Sequence, residues 1–146
     1  MSDDILTRAN VVSEGSATTK DEAIREAGAL LVSSGAVDAS YVDAMLERET
    51  SVSTYMGNLL AIPHGTNESK DAIKTSALSL VRYDHAIDWD GEEVRFAVGI
   101  AGVGDEHLGI LSKIAVVFSD EDEVAKLVAA KDADELYALL EEVNAE

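Results

Sequence analysis

Three histidines carry most of the reactive chemistry available to this chain, because its 146 residues include no cysteine. The lack of cysteine excludes a disulfide framework, a thiolate metal site and a cysteine nucleophile. His64 follows an apolar run at residues 59–62 and stands between Pro63 and Gly65. Proline fixes its own backbone and glycine permits close approach, so the imidazole is held at a strand end with one open face. An ordinary pKa of about 6.5 leaves it mostly neutral at pH 7, which predicts a nucleophile. A histidine that merely hydrogen-bonds in a turn is the alternative.

Two further residues suit the binding of an anionic group. His107 falls in the first turn of a predicted helix, where free N–H groups attract anions, and its ring can donate to a phosphoryl oxygen. Arg48 suits a bidentate phosphate contact. The alternatives are a surface histidine at a helix start and an ordinary ion pair of Arg48 with a neighbouring acid. His85 lies in a polar stretch and is interpreted as part of a solvated loop.

The sequence lacks the signatures of several enzyme classes. It has no Gly-x-x-x-x-Gly-Lys phosphate loop, no His-Glu-x-x-His zinc helix and no Gly-x-Ser-x-Gly nucleophile elbow. Hydrolases and nucleotide-dependent kinases are therefore disfavoured. Two acidic clusters, at residues 88–93 and 120–123, lack the spacing of a calcium-binding loop and are better explained by a turn and a helix start. We predict no metal and no cofactor.

The acidic composition of the chain limits the classes of partner that it can bind. With 29 acidic and 11 basic residues the net charge is −18, a field that repels nucleic acid and anionic lipid. This acidity is compatible with a high-salt cytoplasm, where self-repulsion is screened, as well as with an ordinary acidic surface. There is no signal peptide and no apolar run of about 20 residues, so a cytoplasmic protein without a membrane span is expected.

The elements that must position these residues alternate between helix and strand. A capping box at Thr19 and Glu22 begins a helix that Gly35 ends, and Asp38 caps a second helix with Arg48 at or just past its end. A sheet covered by helices, in the α/β class, is expected as one domain over residues 1–146. Strands are predicted at residues 10–14, 59–62, 75–83 and 94–100, with a turn at 88–91, and later helices at Asp105, Ser119 and Asp132.

Four segments together resemble a known family. They are Leu-Glu-Arg-Glu at residues 46–49, Ala-Ile-Pro-His-Gly-Thr at 61–66, the strand at 94–102 and Glu-His-Leu at 106–108. In this order they resemble the IIA components of the bacterial phosphoenolpyruvate-dependent sugar phosphotransferase system, in the mannitol/fructose class. The His-Gly-Thr sequence and residues 90–96 are most similar to mannitol-type members.

The resemblance implies a phosphotransferase that acts as a histidine phosphocarrier. Its fold would be a mixed sheet of about five strands with helices on both faces, one strand more than the patterns reveal. The carrier protein HPr would donate a phosphoryl group to His64, and a IIB component of a sugar permease would accept it for uptake of mannitol or fructose. His107 matches a histidine that helps hold the phosphoryl group, and Arg48 an arginine near the same site. An apolar rim around His64, formed by Leu60 and Leu108, would suit transient docking.

Two other functions stay open. In the nitrogen-regulatory branch of the family, phosphorylation of His64 would switch partner binding and no sugar would move. A protein that holds a metal between two histidines is the third possibility.

Overall fold

The computed structural model describes residues 5–51, 53–66, 71–103 and 106–140, with the backbone alone at 106–108. Within these ranges the chain forms five strands and five α-helices, and a 3₁₀ turn at Arg8–Asn10 precedes the first strand. No helix in the described ranges is both long and apolar enough to cross a bilayer. The strands are β1 (Val11–Val12), β2 (Tyr55–Gly57), β3 (Leu60–Ala61), β4 (Ala77–Trp89) and β5 (Glu92–Ala101), and the helices are α1 (Lys20–Ser33), α2 (Ser40–Ser51), α3 (Glu106–Phe118), α4 (Glu121–Ala129) and α5 (Ala133–Leu140).

The strands form one mixed sheet in the order β1-β4-β5-β3-β2. Strand β1 is parallel to β4, β4 is antiparallel to β5, β5 is parallel to β3, and β3 is antiparallel to β2. This confirms the predicted mixed sheet of five strands. Because β3 and β5 are parallel, their carboxyl ends meet at one edge of the sheet, which is where ligands bind in open α/β sheets.

Helices cover both faces of the sheet, as predicted. On β5, Ala97 and Ala101 pack in the same buried cluster as α1 and α2. Phe96, Val98 and Ile100 pack in the cluster that contains α3, α4 and α5. From Phe96 to Ala101 the alternation of large and small residues therefore separates two buried faces instead of a buried face and a wet one, while Val94 packs in the same cluster as Ala97. The small residues let α1 approach the sheet closely.

The first of the two N-terminal helices forms where its cap predicts, whereas the second begins at Ser40, and the carboxylate of its predicted cap, Asp38, pairs with Lys74 at 3.2 Å. Thr19 Oγ1 accepts a hydrogen bond from Glu22 N at 3.2 Å, and Gly35 ends the first helix with φ +82°. The second helix is longer than predicted and runs to Ser51. Arg48 therefore lies inside its last turn and not past its end.

Strand β4 is also longer than its sequence pattern suggests. It continues to Trp89, since Ile87 and Trp89 are buried against α1 and α2. His85 consequently lies in this strand, beside a register shift, and the prediction of a loop there is wrong. The turn that joins β4 to β5 is Asp90-Gly91, with φ of +56° and +95°, values typical of a two-residue hairpin.

The caps of the C-terminal helices are partly as predicted. Asp132 Oδ1 accepts from Glu135 N at 2.9 Å and caps α5. The cap of α4 is Asp120, which accepts from Asp122 N at 2.9 Å, and not Ser119. The Ser119 hydroxyl is used one turn back, where it donates to the Val116 carbonyl. The predicted cap Asp105 lies outside the described residues.

Candidate active site

His64 lies where β3 leaves the sheet. The chain is held there to the neighbouring β5, because His64 pairs with Ile100 in a parallel bridge and the Pro63 carbonyl accepts from Ile100 N at 3.0 Å. This contact extends the β3–β5 pairing past the proline, whose missing N–H costs nothing at this position. The imidazole is thus carried by sheet backbone, and it is half-buried.

The tautomer of His64 follows from one contact. Its Nδ1 lies 2.8 Å from the Ile62 carbonyl oxygen. A carbonyl can only accept, so the Nδ1–H donates and the neutral ring leaves its lone pair on Nε2. Burial lowers the pKa of His64, and the Arg48 charge also lowers it, against the Ile62 carbonyl and Glu49, which raise it. The ring is therefore neutral and nucleophilic at Nε2 near pH 7.

Tyr41 joins the residue after His64 to the sheet. Its hydroxyl donates to the Ile100 carbonyl at 2.8 Å and accepts from Gly65 N at 2.9 Å. Burial raises the pKa of Tyr41, so the phenol keeps its proton. The sequence pattern assigns Tyr41 only to the buried face of α2 and gives no sign that its hydroxyl reaches the His64 loop.

Glu49, in the last turn of α2, is a buried carboxylate with 5% of its surface exposed. It accepts hydrogen bonds from Thr54 N at 2.8 Å, Thr54 Oγ1 at 2.6 Å and Trp89 Nε1 at 2.9 Å. Sequence reasoning considered Glu49 only as an ion-pair partner of Arg48. Its spacing was a usable signal, because residues 41, 45 and 49 follow one face of a helix and all three are buried.

Of the other two predicted site residues, Arg48 is described with its side chain and His107 with its backbone alone. Arg48 is half-buried in the last turn of α2, and its charge acts on the His64 ring. His107 lies in the first turn of α3, which begins five residues after the last residue of β5, at the edge of the sheet where His64 stands. The His107 side chain lies outside the described residues, so its contact with a phosphoryl group stays a prediction.

The predicted apolar rim is wrong for Leu60. That side chain is 1% exposed, because it points into the core between the sheet and the C-terminal helices. Leu108 lies outside the residues whose side chains are described. In the described ranges no group of three histidine, aspartate or glutamate residues could hold a metal ion.

The surface next to the His64 loop is acidic. A cleft between α2 and the segment after His64 is lined in part by Asp43, Glu47, Thr66 and Asp71. A neutral imidazole with a nearby arginine can attack an anionic phosphorus centre, while this acidic border attracts a basic protein surface.

Comparison with known proteins agrees with this geometry. The family model described as the phosphoenolpyruvate-dependent sugar phosphotransferase system, EIIA 2, matches residues 4–143. A mannitol-specific phosphotransferase enzyme IIA component from Halalkalibacterium halodurans is 51% identical over 144 residues, which cover 99% of each chain.

Solved structures are similar along most of the chain. The mannitol enzyme IIA from Escherichia coli, solved in complex with phosphorylated enzyme IIB, has a TM-score of 0.84 at 34% identity. The match covers 90% of this chain and 94% of the Escherichia coli chain. The nitrogen regulatory protein IIA-Ntr from Neisseria meningitidis has a TM-score of 0.80 at 28% identity, with 93% and 96% covered. The chain therefore belongs to the EIIA type 2 family of the phosphoenolpyruvate-dependent sugar phosphotransferase system.

Proposed function

We propose that the chain, as one domain over residues 1–146, is the cytoplasmic IIA phosphocarrier of a mannitol permease. His64 accepts a phosphoryl group from phospho-HPr and passes it to a IIB component. The observation that carries this proposal is the 2.8 Å contact between His64 Nδ1 and the Ile62 carbonyl, which leaves Nε2 as the nucleophile. Mannitol is proposed over fructose because the relative from Halalkalibacterium halodurans is named mannitol-specific.

The transfer needs no cofactor. The Nε2 lone pair of His64 attacks phosphorus, and the bond between phosphorus and the HPr histidine breaks with its electrons returning to that ring. The phosphorylated His64 ring keeps its Nδ1 proton and becomes cationic. The Ile62 carbonyl stabilises this charge because it already accepts from Nδ1–H. The second transfer, to IIB, runs the same displacement outward from His64.

Arg48 and His107 supply the remaining stabilisation in this proposal. Phosphoryl transfer depends on in-line positioning and on donors for the equatorial oxygens. Arg48 contacts the phosphoryl group or the partner, and His107, with the first N–H groups of α3, holds the phosphoryl oxygens. Arg48 repels a cationic imidazole but attracts the phosphoryl anion, so it favours the phosphorylated state over the merely protonated one.

Intact mass after incubation with phosphoenolpyruvate, enzyme I and HPr tests the acceptor. We expect one acid-labile phosphoryl group on the wild type and none on His64→Ala. The matched control is His85→Ala, which removes a histidine from β4, away from the candidate site, and should still gain the group. His107→Ala should accept the group but pass it on slowly. No gain of mass on the wild type, when a IIA component of known activity is phosphorylated in the same mixture, would refute the carrier function.

The acceptor distinguishes the remaining functions. Phosphorylated chain mixed with a mannitol IIB domain should lose its phosphoryl group to that domain faster than to a fructose IIB domain. Faster transfer to the fructose IIB domain would show that the proposed sugar is fructose and not mannitol. A regulatory module would transfer to neither, and it is the less favoured function because the nitrogen-regulatory structure is 28% identical, against 51% for the mannitol-specific relative.

A further inference from the structure

A chain of hydrogen bonds joins the Glu49 carboxylate to the candidate nucleophile. Glu49 holds Thr54 through both its backbone N–H and its hydroxyl. The Thr54 carbonyl accepts from Ile62 N at 3.0 Å, which continues the pairing of β2 with β3. The Ile62 carbonyl then accepts from His64 Nδ1 at 2.8 Å. The backbone that orients the imidazole is thus fixed at its far end by one carboxylate.

The same carboxylate is fixed from the other side by the sheet. Trp89 is fully buried in β4 and donates its indole N–H to Glu49 Oε2 at 2.9 Å. Together with the two bonds from Thr54, this leaves the carboxylate little freedom to move. Glu49 therefore links α2, β2 and β4 at one point, and the start of β2 and the end of β3 take their positions from that point.

Stability alone is a poor explanation for this carboxylate. Removing a carboxylate from water costs several kcal/mol, and an apolar group of similar volume often serves a core equally well. Residues 41 and 45, two turns and one turn earlier on the same face of α2, are a tyrosine and a methionine. The negative charge at position 49 instead opposes Arg48, its neighbour, in its effect on the His64 ring.

We propose that Glu49 is a positioning residue for His64, which acts through Thr54 and Ile62 to hold the ring as its Nδ1–H tautomer with the nucleophilic lone pair on Nε2. This inference rests on the proposed function of His64 as the phosphoryl acceptor. The carboxylate has two separable effects: its hydrogen bonds fix the backbone that orients the ring, and its charge offsets that of Arg48.

Two substitutions separate these effects. Glu49→Gln keeps all three hydrogen bonds, because the amide oxygen replaces Oε2 and the amide nitrogen donates to Thr54 Oγ1, whose hydroxyl turns to accept. It removes only the charge. Glu49→Ala removes both the charge and the hydrogen bonds. The matched control for the pKa measurement is Glu47→Gln, which removes an exposed acid from the same helix.

Nitrogen-15 NMR of the His64 ring reports its tautomer and its pKa, and a phosphorylation time course with phospho-HPr reports its reactivity. In Glu49→Gln we expect the wild-type tautomer and a pKa of His64 below that of the wild type. The Glu47→Gln control should shift the pKa less, since water screens an exposed charge. In Glu49→Ala we expect a mixture of tautomers and phosphorylation slower by about 10- to 100-fold, the scale of a misplaced reacting group.

The outcomes are decisive in each case. A folded Glu49→Ala protein with the wild-type tautomer and the wild-type rate overturns the positioning role. If Glu49→Ala does not fold, Thr54→Val decides, because it removes the hydroxyl bond to Glu49 at nearly constant shape. The wild-type tautomer and the wild-type rate in that variant then overturn the positioning role, whereas an unchanged pKa of His64 in Glu49→Gln overturns the effect of the charge. A wild-type chain that gains no phosphoryl group refutes the proposed function, whereas the ring spectra, which need no phosphoryl donor, still measure the effect of Glu49.

Discussion

Replacing Tyr41 by phenylalanine removes a single hydroxyl that joins the His64 loop to β5. In the wild type this hydroxyl donates to the Ile100 carbonyl and accepts from Gly65 N. The phenylalanine ring occupies the same space, so the packing of a side chain that is only 2% exposed is kept. The change therefore isolates two hydrogen bonds.

The loss of stability can be worked out from these contacts. Each intramolecular hydrogen bond contributes about 1 kcal/mol net, so two lost bonds cost about 2 kcal/mol. Gly65 is half-buried and its N–H can turn to water, while Ile100 is fully buried and its carbonyl loses a partner. In a chain of this size each kcal/mol lowers Tm by about 3 °C, which predicts a fall of about 6 °C.

The rate of phosphorylation should fall as well. Gly65 follows His64 directly, so the freed N–H lets the ring move from its attacking position. If about half of the lost energy had served to position the ring in the transition state, the rate falls about fivefold. The measurements are thermal unfolding by circular dichroism and the initial rate with phospho-HPr, at a temperature where both proteins are folded.

Tyr137→Phe is the matched control for this experiment. It makes the same chemical change on α5, against the opposite face of the sheet. It should leave the rate unchanged. The reasoning is refuted if Tyr41→Phe keeps its Tm within about 1 °C of the wild type, because two net hydrogen bonds cannot then have been lost.

Three further predictions concern pH, a half-buried arginine and backbone packing. Burial lowers the pKa of His64 in the folded state, so the unfolded chain binds the proton more readily. The free energy of unfolding therefore falls as the pH drops from about 6.5, the pKa in the unfolded chain, to the lower pKa in the folded chain. Above about pH 6.5 the titration of His64 does not change the stability. Urea unfolding at about pH 7.5 and about pH 5.5 should therefore show a smaller loss in acid for His64→Gln than for the wild type, and an equal loss would contradict this. Arg82 donates to carbonyls at the C-terminal end of α4 at 2.6 and 2.9 Å, so Arg82→Met should cost about 2–3 kcal/mol of unfolding free energy and leave the phosphorylation of folded protein unchanged. A Cβ at Gly99 would lie 2.6 Å from Ser79 Oγ, so Gly99→Ala should cost about 1–3 kcal/mol. Gly109→Ala, on the open face of α3, should instead raise the free energy of unfolding by up to about 1 kcal/mol. Urea unfolding measures both variants, and a change in the same direction for Gly99→Ala and Gly109→Ala would contradict this prediction.

Local patterns in the sequence were sufficient for much of the fold. The capping box at Thr19, the stop at Gly35 and the alternation that predicts β5 each depend on neighbours within a few residues, and the structure confirms the cap, the stop and the existence of the strand. The candidate nucleophile was visible for the same reason, because the strand, proline, histidine and glycine around His64 are contiguous. The four matching segments likewise sufficed for the family.

Elements that depend on distant partners were missed. Strand β2 has only three residues and is defined by its pairing with β3, so no periodicity marks it. The far half of β4 has a register shift that breaks its alternation around His85. Burial against helices far away in the chain, and not local pattern, keeps that half in the sheet.

For the chemistry of the site, too, some features follow from the sequence and others only from the tertiary structure. The sequence by itself determined which residue types are present, the helical and strand periodicities, and that His64 stands at a strand end. Only the tertiary structure decided that the Tyr41 hydroxyl reaches Gly65 and that Glu49 meets Trp89 across 40 residues of chain. Hydrogen bonds of this kind form between side chains and backbone brought together by the sheet, and the sequence near either partner carries no trace of the other.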